Sequence, residues 1–167
     1  MARAVLTDPY HNFRYHVKAT KAGAIDPLGP VSAGFTAVTM PEQTVEVAEY
    51  KEGTMVYRRK FPGDVTFAPI TLSRGVVGNT SEFWTWLNQT AQGGEYRIDL
   101  EIHQFHRTDV PGEANYANLT AKRIIRCFEC VPTRVKPGSD MESTSSDISI
   151  QELDIEVESF TVTNNLA

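Results

Sequence analysis

Residues 97–103 read Arg-Ile-Asp-Leu-Glu-Ile-His, in which polar and apolar side chains alternate without interruption. Because successive side chains of a β-strand point to opposite faces of a sheet, this stretch predicts a strand with one buried face. The same period of two recurs on both sides of it, which predicts a mainly β fold. The recurring segments are 12–18, 45–49, 55–60, 67–72, 123–131 and 148–157.

One stretch has helical character instead. Residues 71–88, TLSRGVVGNTSEFWTWLN, hold both tryptophans within three positions. Asn79 with Glu82 three residues later has the form of a capping box. A helix of two turns is not stable alone in water, so side chains must anchor it to the sheet, and Trp86 is expected to point away from them. The predicted anchors of this helix core are Phe83, Trp84 and Leu87.

A charged hairpin is predicted between the second and third strands. Residues 45–49 and 55–60 alternate as strands on either side of the polar segment 50–54. The alternating charges near the tip suit docking onto a neighbouring subunit, where complementary charges set register, and they suit solubility equally well. The residues concerned are Glu49, Tyr50, Lys51, Glu52, Gly53, Arg58, Arg59 and Lys60.

Length and composition predict one domain that spans residues 1–167. With 41% hydrophobic residues, the chain is long enough for one core and too short to suggest two. The formal net charge of -5 disfavours a general nucleic-acid binder. No run has the apolar length of a signal peptide or a membrane span, so a soluble protein without membrane anchoring is expected.

The acidic residues are concentrated near the C-terminus. From Pro137 onward there are seven acids and no lysine or arginine. The apolar phase changes parity between Ile150 and Leu153, which predicts a β-bulge near Gln151. Three acids share one face of this strand and form either a solvated outer surface or a wall that must not hold polyanions. These three are Asp154, Glu156 and Glu158.

The two cysteines, Cys127 and Cys130, form a CxxC pair. A zinc site would need two further ligands, and a thioredoxin-like motif would need a strand-to-helix turn that this segment does not resemble. In a regular strand, a spacing of three turns the two thiols to opposite faces. Two ordinary reduced cysteines, one of them buried, are therefore expected.

No catalytic, cofactor or metal site is predicted. In a strand, His103 and His106 point to opposite faces, and Glu101 beside the first gives two ligands at most. The glycine-containing segment 75–80 lacks the lysine and the spacing of a phosphate-binding loop. No serine, histidine and aspartate occur in the context of a known triad.

Six segments carry motifs that occur together and in order: DPYHNFRY (8–15), AGF (33–35), VEVAEYKEG (45–53), RKFPG (59–63), ITLSRG (70–75) and EFWTWL (82–87). They resemble the tail tube proteins of contractile-tailed bacteriophages, the T4 tube-protein-like family. The segment 145–156 is similar to the final strand of that family. The family also includes the inner tubes of R-type bacteriocins and of extracellular contractile injection systems.

The resemblance implies a two-sheet β-barrel or sandwich with one short flanking α-helix and a long protruding hairpin. It implies hexameric rings that stack into a hollow tube, in which the inner sheets of six subunits join around the lumen. The hairpin from Glu49 to Gly63 matches the region that reaches the next ring. The sequence departs from the family at 114–119, where a loop looks longer, and at 125–131, which contains the cysteines.

The resemblance implies a virion structural protein without enzymatic activity: a tail tube subunit for genome delivery. Its partners would be further copies of itself, a tail sheath protein, and baseplate and tail terminator proteins. It would be assembled in the host bacterial cytoplasm and reside in the phage tail. DNA would pass through the lumen without specific binding, and Asp154, Glu156 and Glu158 are the candidate luminal acids.

Alternatives stay open. The chain could be the inner tube protein of an injection system or bacteriocin that carries no genome. A baseplate or terminator protein of the same fold would form one ring and fail to polymerise alone. A monomeric β-barrel module with a small ligand inside is a third alternative, although the apolar strand faces offer it no convergent set of polar residues.

Overall fold

The computed structural model describes residues 10–19, 35–78, 81–94, 96–105, 121, 123–144 and 146–164. Within these ranges the chain forms nine β-strands and one α-helix, which confirms the mainly β prediction. Asn79, His106 and the loop 114–119 lie outside the described residues. The elements are β1 Tyr15–Ala19, β2 Ala37–Val38, β3 Gln43–Tyr50, β4 Arg59–Phe67, β5 Ile70–Gly75, α1 Glu82–Ala91, β6 Ile98–Gln104, β7 Arg123–Lys136, β8 Ile150–Glu156 and β9 Ser159–Asn164.

Two antiparallel sheets share the long strand β7. Sheet A consists of β1, β6, the first half of β7 and β9, in that order. Sheet B consists of the second half of β7, then β8, β5 and β2. Within the described part of the chain the two sheets form a sandwich and do not close into a barrel.

One hydrophobic core lies between the sheets and the helix. Alternate residues of the longer strands of these two sheets face it, as the period of two predicts, whereas β3 and β4 contribute no residue to it. In β6, Leu100 and Ile102 are fully buried in the core, while Glu101 between them points to the other face of sheet A. The largest fully buried side chains are Trp86, Phe83, Phe105, Ile70, Leu72, Leu100, Ile102, Leu153, Ile155 and Val17.

A β-bulge in β7 puts both cysteines on the core face. Between Cys127 and Cys130, β7 has one residue more than the segment of β6 that pairs with it. Glu129 takes the left-handed conformation there, with φ of 52°, and its N–H donates to Asp99 Oδ1 at 3.0 Å. Both cysteines are fully buried. The prediction that they face opposite sides is wrong, because the extra residue shifts the alternation by one.

The helix α1 is anchored by other side chains than those predicted. Phe83 and Trp86 are 1% and 0% exposed, whereas Trp84 is 56% exposed. Trp86 Nε1 also donates to the carbonyl of Tyr96 at 2.7 Å. The prediction of Trp84 as an anchor is therefore wrong, because the buried stripe runs through positions three apart, 83 and 86. Leu87 is half-buried at its margin.

A buried arginine joins α1 to sheet B. Arg74 lies 4.0 Å from the ring centre of Phe83, and its Nη2 donates to Glu82 at 2.9 Å. Gln151 faces Arg74 across the ladder, and its carboxamide oxygen, when turned towards Arg74, accepts from Nε at 2.5 Å. The ladder of β5 and β8 is unbroken. The predicted bulge near Gln151 is wrong, because this polar side chain faces the core as the partner of Arg74.

Candidate assembly surfaces

The hairpin of β3 and β4 forms a separate two-stranded sheet that the sandwich does not cover. Every residue of β3 is exposed, and so is every residue of β4 except Phe67. Val45, Val47 and Val65 share one face of this hairpin and are 43%, 58% and 48% exposed. A two-stranded hairpin is at best marginally stable alone in water. Its exposed apolar face therefore indicates a surface that another protein chain covers.

The tip of the hairpin carries the predicted docking residues. Strand β4 begins at Arg59 rather than at Met55 as predicted, so the tip spans 51–58. Arg58 Nη1 lies 2.9 Å from Glu49 Oε2. Glu49 faces Lys60 across the ladder, and Tyr50 faces Arg59. The structure thus brings together the set Glu49, Tyr50, Lys51, Glu52, Gly53, Arg58, Arg59 and Lys60, whose contact with another ring stays a prediction.

The strands at the edges of sheet A are β1 and β9, and no described strand pairs with the outer side of either. The sequence of β9, Ser-Phe-Thr-Val-Thr-Asn, has no charged residue and no proline, and its ladder with β7 has no bulge. Edge strands that face water usually carry a charged residue, a proline or a bulge, which keeps other strands from pairing with them. Strand β9 was not among the predicted strands, although its alternation of apolar residues with threonine is the signal for it.

The edges of sheet B are protected. Strand β2 has only two residues. The second half of β7 contains Pro132, Arg134 and Lys136, and its register with β8 shifts between Pro132 and Arg134. Short length, proline, charge and irregular register all discourage a further strand from pairing. Of the described edges, those of sheet A are therefore the better suited to pair with another chain.

The outer face of sheet A carries a cluster of charged side chains around Glu101, which is only 4% exposed. Its carboxylate accepts from Arg126 Nε at 2.6 Å and from His103 Nε2 at 2.8 Å, and lies 3.2 Å from Lys18 Nζ. Burial alone raises the pKa of Glu101, but these three partners outweigh it and hold the pKa below its usual value. The cluster ties together β1, β6 and β7.

A half-buried histidine borders this cluster. His16 on β1 is paired directly with His103 on β6, and the two rings meet edge to face with centroids 6.2 Å apart. His16 Nε2 is buried and has no hydrogen-bond partner. Burial lowers the pKa of His16, and the neighbouring His103 and Lys18 lower it further. A positive charge on His16 is therefore disfavoured in the folded sheet.

Of the predicted luminal acids, Asp154 and Glu156 lie on the outer face of sheet B and Glu158 lies between β8 and β9, and the three do not form an unpaired ladder. Asp154 Oδ2 accepts from Arg134 Nη1 at 2.8 Å. Glu158 follows the end of β8 and binds Arg97. Only Glu156 of the three has no ion pair with another described residue. Arg134 of β7 and Arg97, the residue before β6, thus interrupt the row of like charges. The C-terminal sequence alone did not predict these ion pairs.

An open cavity of about 540 Å³ lies at the end of the sandwich, next to sheet A. Tyr15, Ile125 and Phe160 line it, together with the buried Gln104, whose Oε1 has no hydrogen-bond partner. Tyr15 is fixed by a hydrogen bond of 2.6 Å from its hydroxyl to the carbonyl of Phe35. The cavity is the feature that a ligand-binding module would use.

The thiols give no support to redox or metal chemistry. Burial raises the pKa of Cys127 to about 12, and burial together with the nearby Cys127 raises that of Cys130 to about 12. Thiols in this state are poor nucleophiles and poor ligands. Among the described residues, no group of three or more histidine, cysteine, aspartate or glutamate side chains could hold a metal ion. The one described helix lacks the length and apolar character to cross a membrane.

Comparisons with known proteins bear on these surfaces. The sequence profile of the family described as T4-like virus tail tube protein gp19 matches residues 11–161. No curated protein has a significantly similar sequence.

Solved structures share the fold. One similar chain comes from the cryo-EM structure of the PVC sheath-tube complex, an extracellular contractile injection system in the extended state. It superposes with a TM-score of 0.76 at 20% sequence identity, and the match covers 96% of this chain and 95% of that chain. A chain in the cryo-EM structure of the anti-feeding prophage baseplate gives 0.75 at 14% identity, covering 96% and 99%. The Hcp1 protein from E. coli EAEC 042 gives 0.53 at 9% identity, covering 91% of both chains.

Proposed function

This chain belongs to the T4-like virus tail tube protein gp19 family, and from that premise we propose that its copies form hexameric rings that stack into the tube of a contractile machine. The role is structural and non-enzymatic. The observation that carries the proposal is the hairpin of β3 and β4, whose apolar face is open to water while the two sheets and the helix have a hydrophobic core of their own. A second copy in the next ring would cover that face.

The wider partners follow from the family and from the neighbours in fold. The PVC and anti-feeding prophage structures are described as a sheath-tube complex and a baseplate. We propose that this chain likewise contacts a sheath, a baseplate and a terminator, as part of a phage or phage-like particle assembled in the host cytoplasm. The tube would carry DNA if the particle is a phage. It would carry no genome if the particle is an injection system or a bacteriocin. The luminal position of Asp154, Glu156 and Glu158 stays a prediction.

Electron microscopy of the purified protein at increasing concentration tests the proposal. Rings and stacked tubes are expected. A protein that stays monomeric at every concentration would contradict it and would favour a binding module that uses the cavity beside Tyr15.

Two matched variants test the role of the hairpin. Val47→Asp places a charge on the hairpin face that is 58% exposed, and Met141→Asp places the same charge at a loop residue that is 97% exposed. Both variants should fold, because neither residue is in the core. Val47→Asp should abolish stacking and Met141→Asp should not. Equal tube formation by both would mean that the hairpin face is not the contact between rings.

A further inference from the structure

We propose that the open end of the sandwich binds a small organic carboxylate. The carboxyl group of this ligand pairs with Arg123, an N–H or O–H group donates to Gln104, and an apolar body packs against Phe160. The site is the cavity of about 540 Å³ beside Tyr15. This inference goes beyond the proposed function and does not depend on it, because the residues that form the site belong to one subunit.

A row of polar side chains crosses the end of sheet A on its core side. Tyr15 is paired directly with Gln104, and Gln104 with Arg123, so that β1, β6 and β7 each contribute one residue. All three residues line the cavity. Directly paired residues of neighbouring strands lie about 5 Å apart on the same face of a sheet. One small molecule can therefore contact the row as a whole, although no single strand reveals this row in the sequence.

Gln104 is the most buried member of the row. It is only 8% exposed, and its Oε1 is buried without a hydrogen-bond partner. A buried acceptor that is left unsatisfied costs free energy. An N–H or O–H group that donates to Oε1 removes this cost, so the same donor gains more here than it would on an exposed surface. The position therefore favours a ligand that carries a hydrogen-bond donor.

Arg123 supplies the charge of the site. It is half-buried, it is the one charged residue among the described residues that line the cavity, and it has no ion pair with another described residue. By contrast, Arg126 on the same strand is bound to Glu101 on the opposite face of the sheet. A guanidinium group binds a carboxylate through two parallel hydrogen bonds. One cation balances one negative charge, which favours a monocarboxylate over a polyphosphate.

The rest of the lining is mainly apolar. Ile125, Phe160 and Val162 contribute from sheet A, and β2 of sheet B contributes both of its residues. Tyr15 is held in place, because its hydroxyl donates to the carbonyl of Phe35 at 2.6 Å. A volume of about 540 Å³ is in the range of small-molecule sites, which combine apolar walls with a few polar groups. A single ring or a short hydrocarbon chain suits this part of the cavity.

N-acetyl-L-phenylalanine is the probe for this site, because it combines a carboxylate, an amide N–H and one aromatic ring. Two analogues each lack one group: N-acetyl-L-phenylalanine amide has no carboxylate, and phenylpropionate has no N–H. Two-dimensional NMR spectra of the isotope-labelled protein, at a concentration where it is not assembled, give the dissociation constants. We expect saturable binding of the probe, with shifts centred on residues 104 and 123–125, and weaker binding of both analogues.

Three variants assign the contacts. Arg123→Gln should weaken binding of the probe about tenfold or more, because a charge-assisted pair is lost, and should not affect binding of the amide. Gln104→Leu should weaken binding of the probe about fivefold and should not affect binding of phenylpropionate. Arg126→Gln is the matched control, because it makes the same charge change on the opposite face of the same strand, and it should leave all three affinities unchanged.

Three results would overturn the assignment: no saturable shift with the probe up to about 10 mM, equal binding of the probe and its amide, or equal effects of Arg123→Gln and Arg126→Gln. The first two are measured on the wild-type protein, so the test does not depend on the folding of any variant. Assembly is followed by electron microscopy without ligand, so failure of the proposed function would be seen separately.

Discussion

The two tryptophans of α1 provide a matched test of how the helix is held. Trp86 is completely buried and Trp84 is 56% exposed, although they lie two residues apart on the same helix. Trp86→Phe removes part of a buried ring system, which costs about 1–2 kcal/mol in transfer and cavity terms. It also removes the donor to the Tyr96 carbonyl, worth about 1 kcal/mol. The unfolding free energy should therefore fall by about 2–3 kcal/mol.

Trp84→Phe is the control, and its effect should stay within about 0.5 kcal/mol, as for other exposed substitutions. Urea unfolding followed by far-ultraviolet circular dichroism measures both variants, at a protein concentration where the wild type is not assembled. Equal destabilisation by the two variants would refute the assignment of Trp86 as the anchor. A larger loss for Trp84→Phe would restore the interpretation made from the sequence.

Three further predictions concern sheet A and the bulge. Cys127 and Cys130 should not react with a maleimide at pH 8 while the protein is folded, because burial shields their thiols and raises the pKa of each to about 12. Both should react in denaturant, and mass spectrometry counts the labels. The pKa of His16 is lower in the folded state than its usual 6.5, so the unfolded chain binds the proton first and the free energy of unfolding should fall as the pH drops below 6.5. In urea titrations at pH 7 and pH 5, His16→Gln should reduce this fall. An unchanged fall would exclude His16 as its source. Residue 129 has a positive φ, which glycine adopts at no steric cost and alanine does not. Glu129→Gly should therefore be more stable than Glu129→Ala by about 1 kcal/mol in thermal unfolding. Equal stabilities of the two variants would contradict a steric cost of this backbone conformation.

The strands and their buried faces were predictable because alternation is a local property. Residues 97–103 alternate in the sequence, and Leu100 and Ile102 are in the core as that pattern requires. The family resemblance was also confirmed by the profile match. In a strand without a bulge, the buried face follows from the alternation of side chains, and that alternation can be read directly from a short segment.

Features that depend on distant partners were not predictable. The extra residue between Cys127 and Cys130 becomes a bulge only because β6 supplies one residue fewer. Arg134 and Arg97 neutralise acids that are 20 and 61 residues away in the chain. Trp84 and Trp86 are equally good anchors in a ten-residue helix until its rotation on the sheet is known, and Arg74 takes part in fixing that rotation.

The bulge at Glu129 has a consequence for the size of an assembly. It lies where β7 exchanges β9 for β8 as its neighbour, at the passage from one sheet to the other. An irregularity of this kind bends a strand and increases its local twist. If rings close through sheet A, the bend at this one residue helps to set the wedge angle of each subunit, and the wedge angle fixes how many copies complete a circle. A single peptide conformation would then influence the bore of the whole conduit.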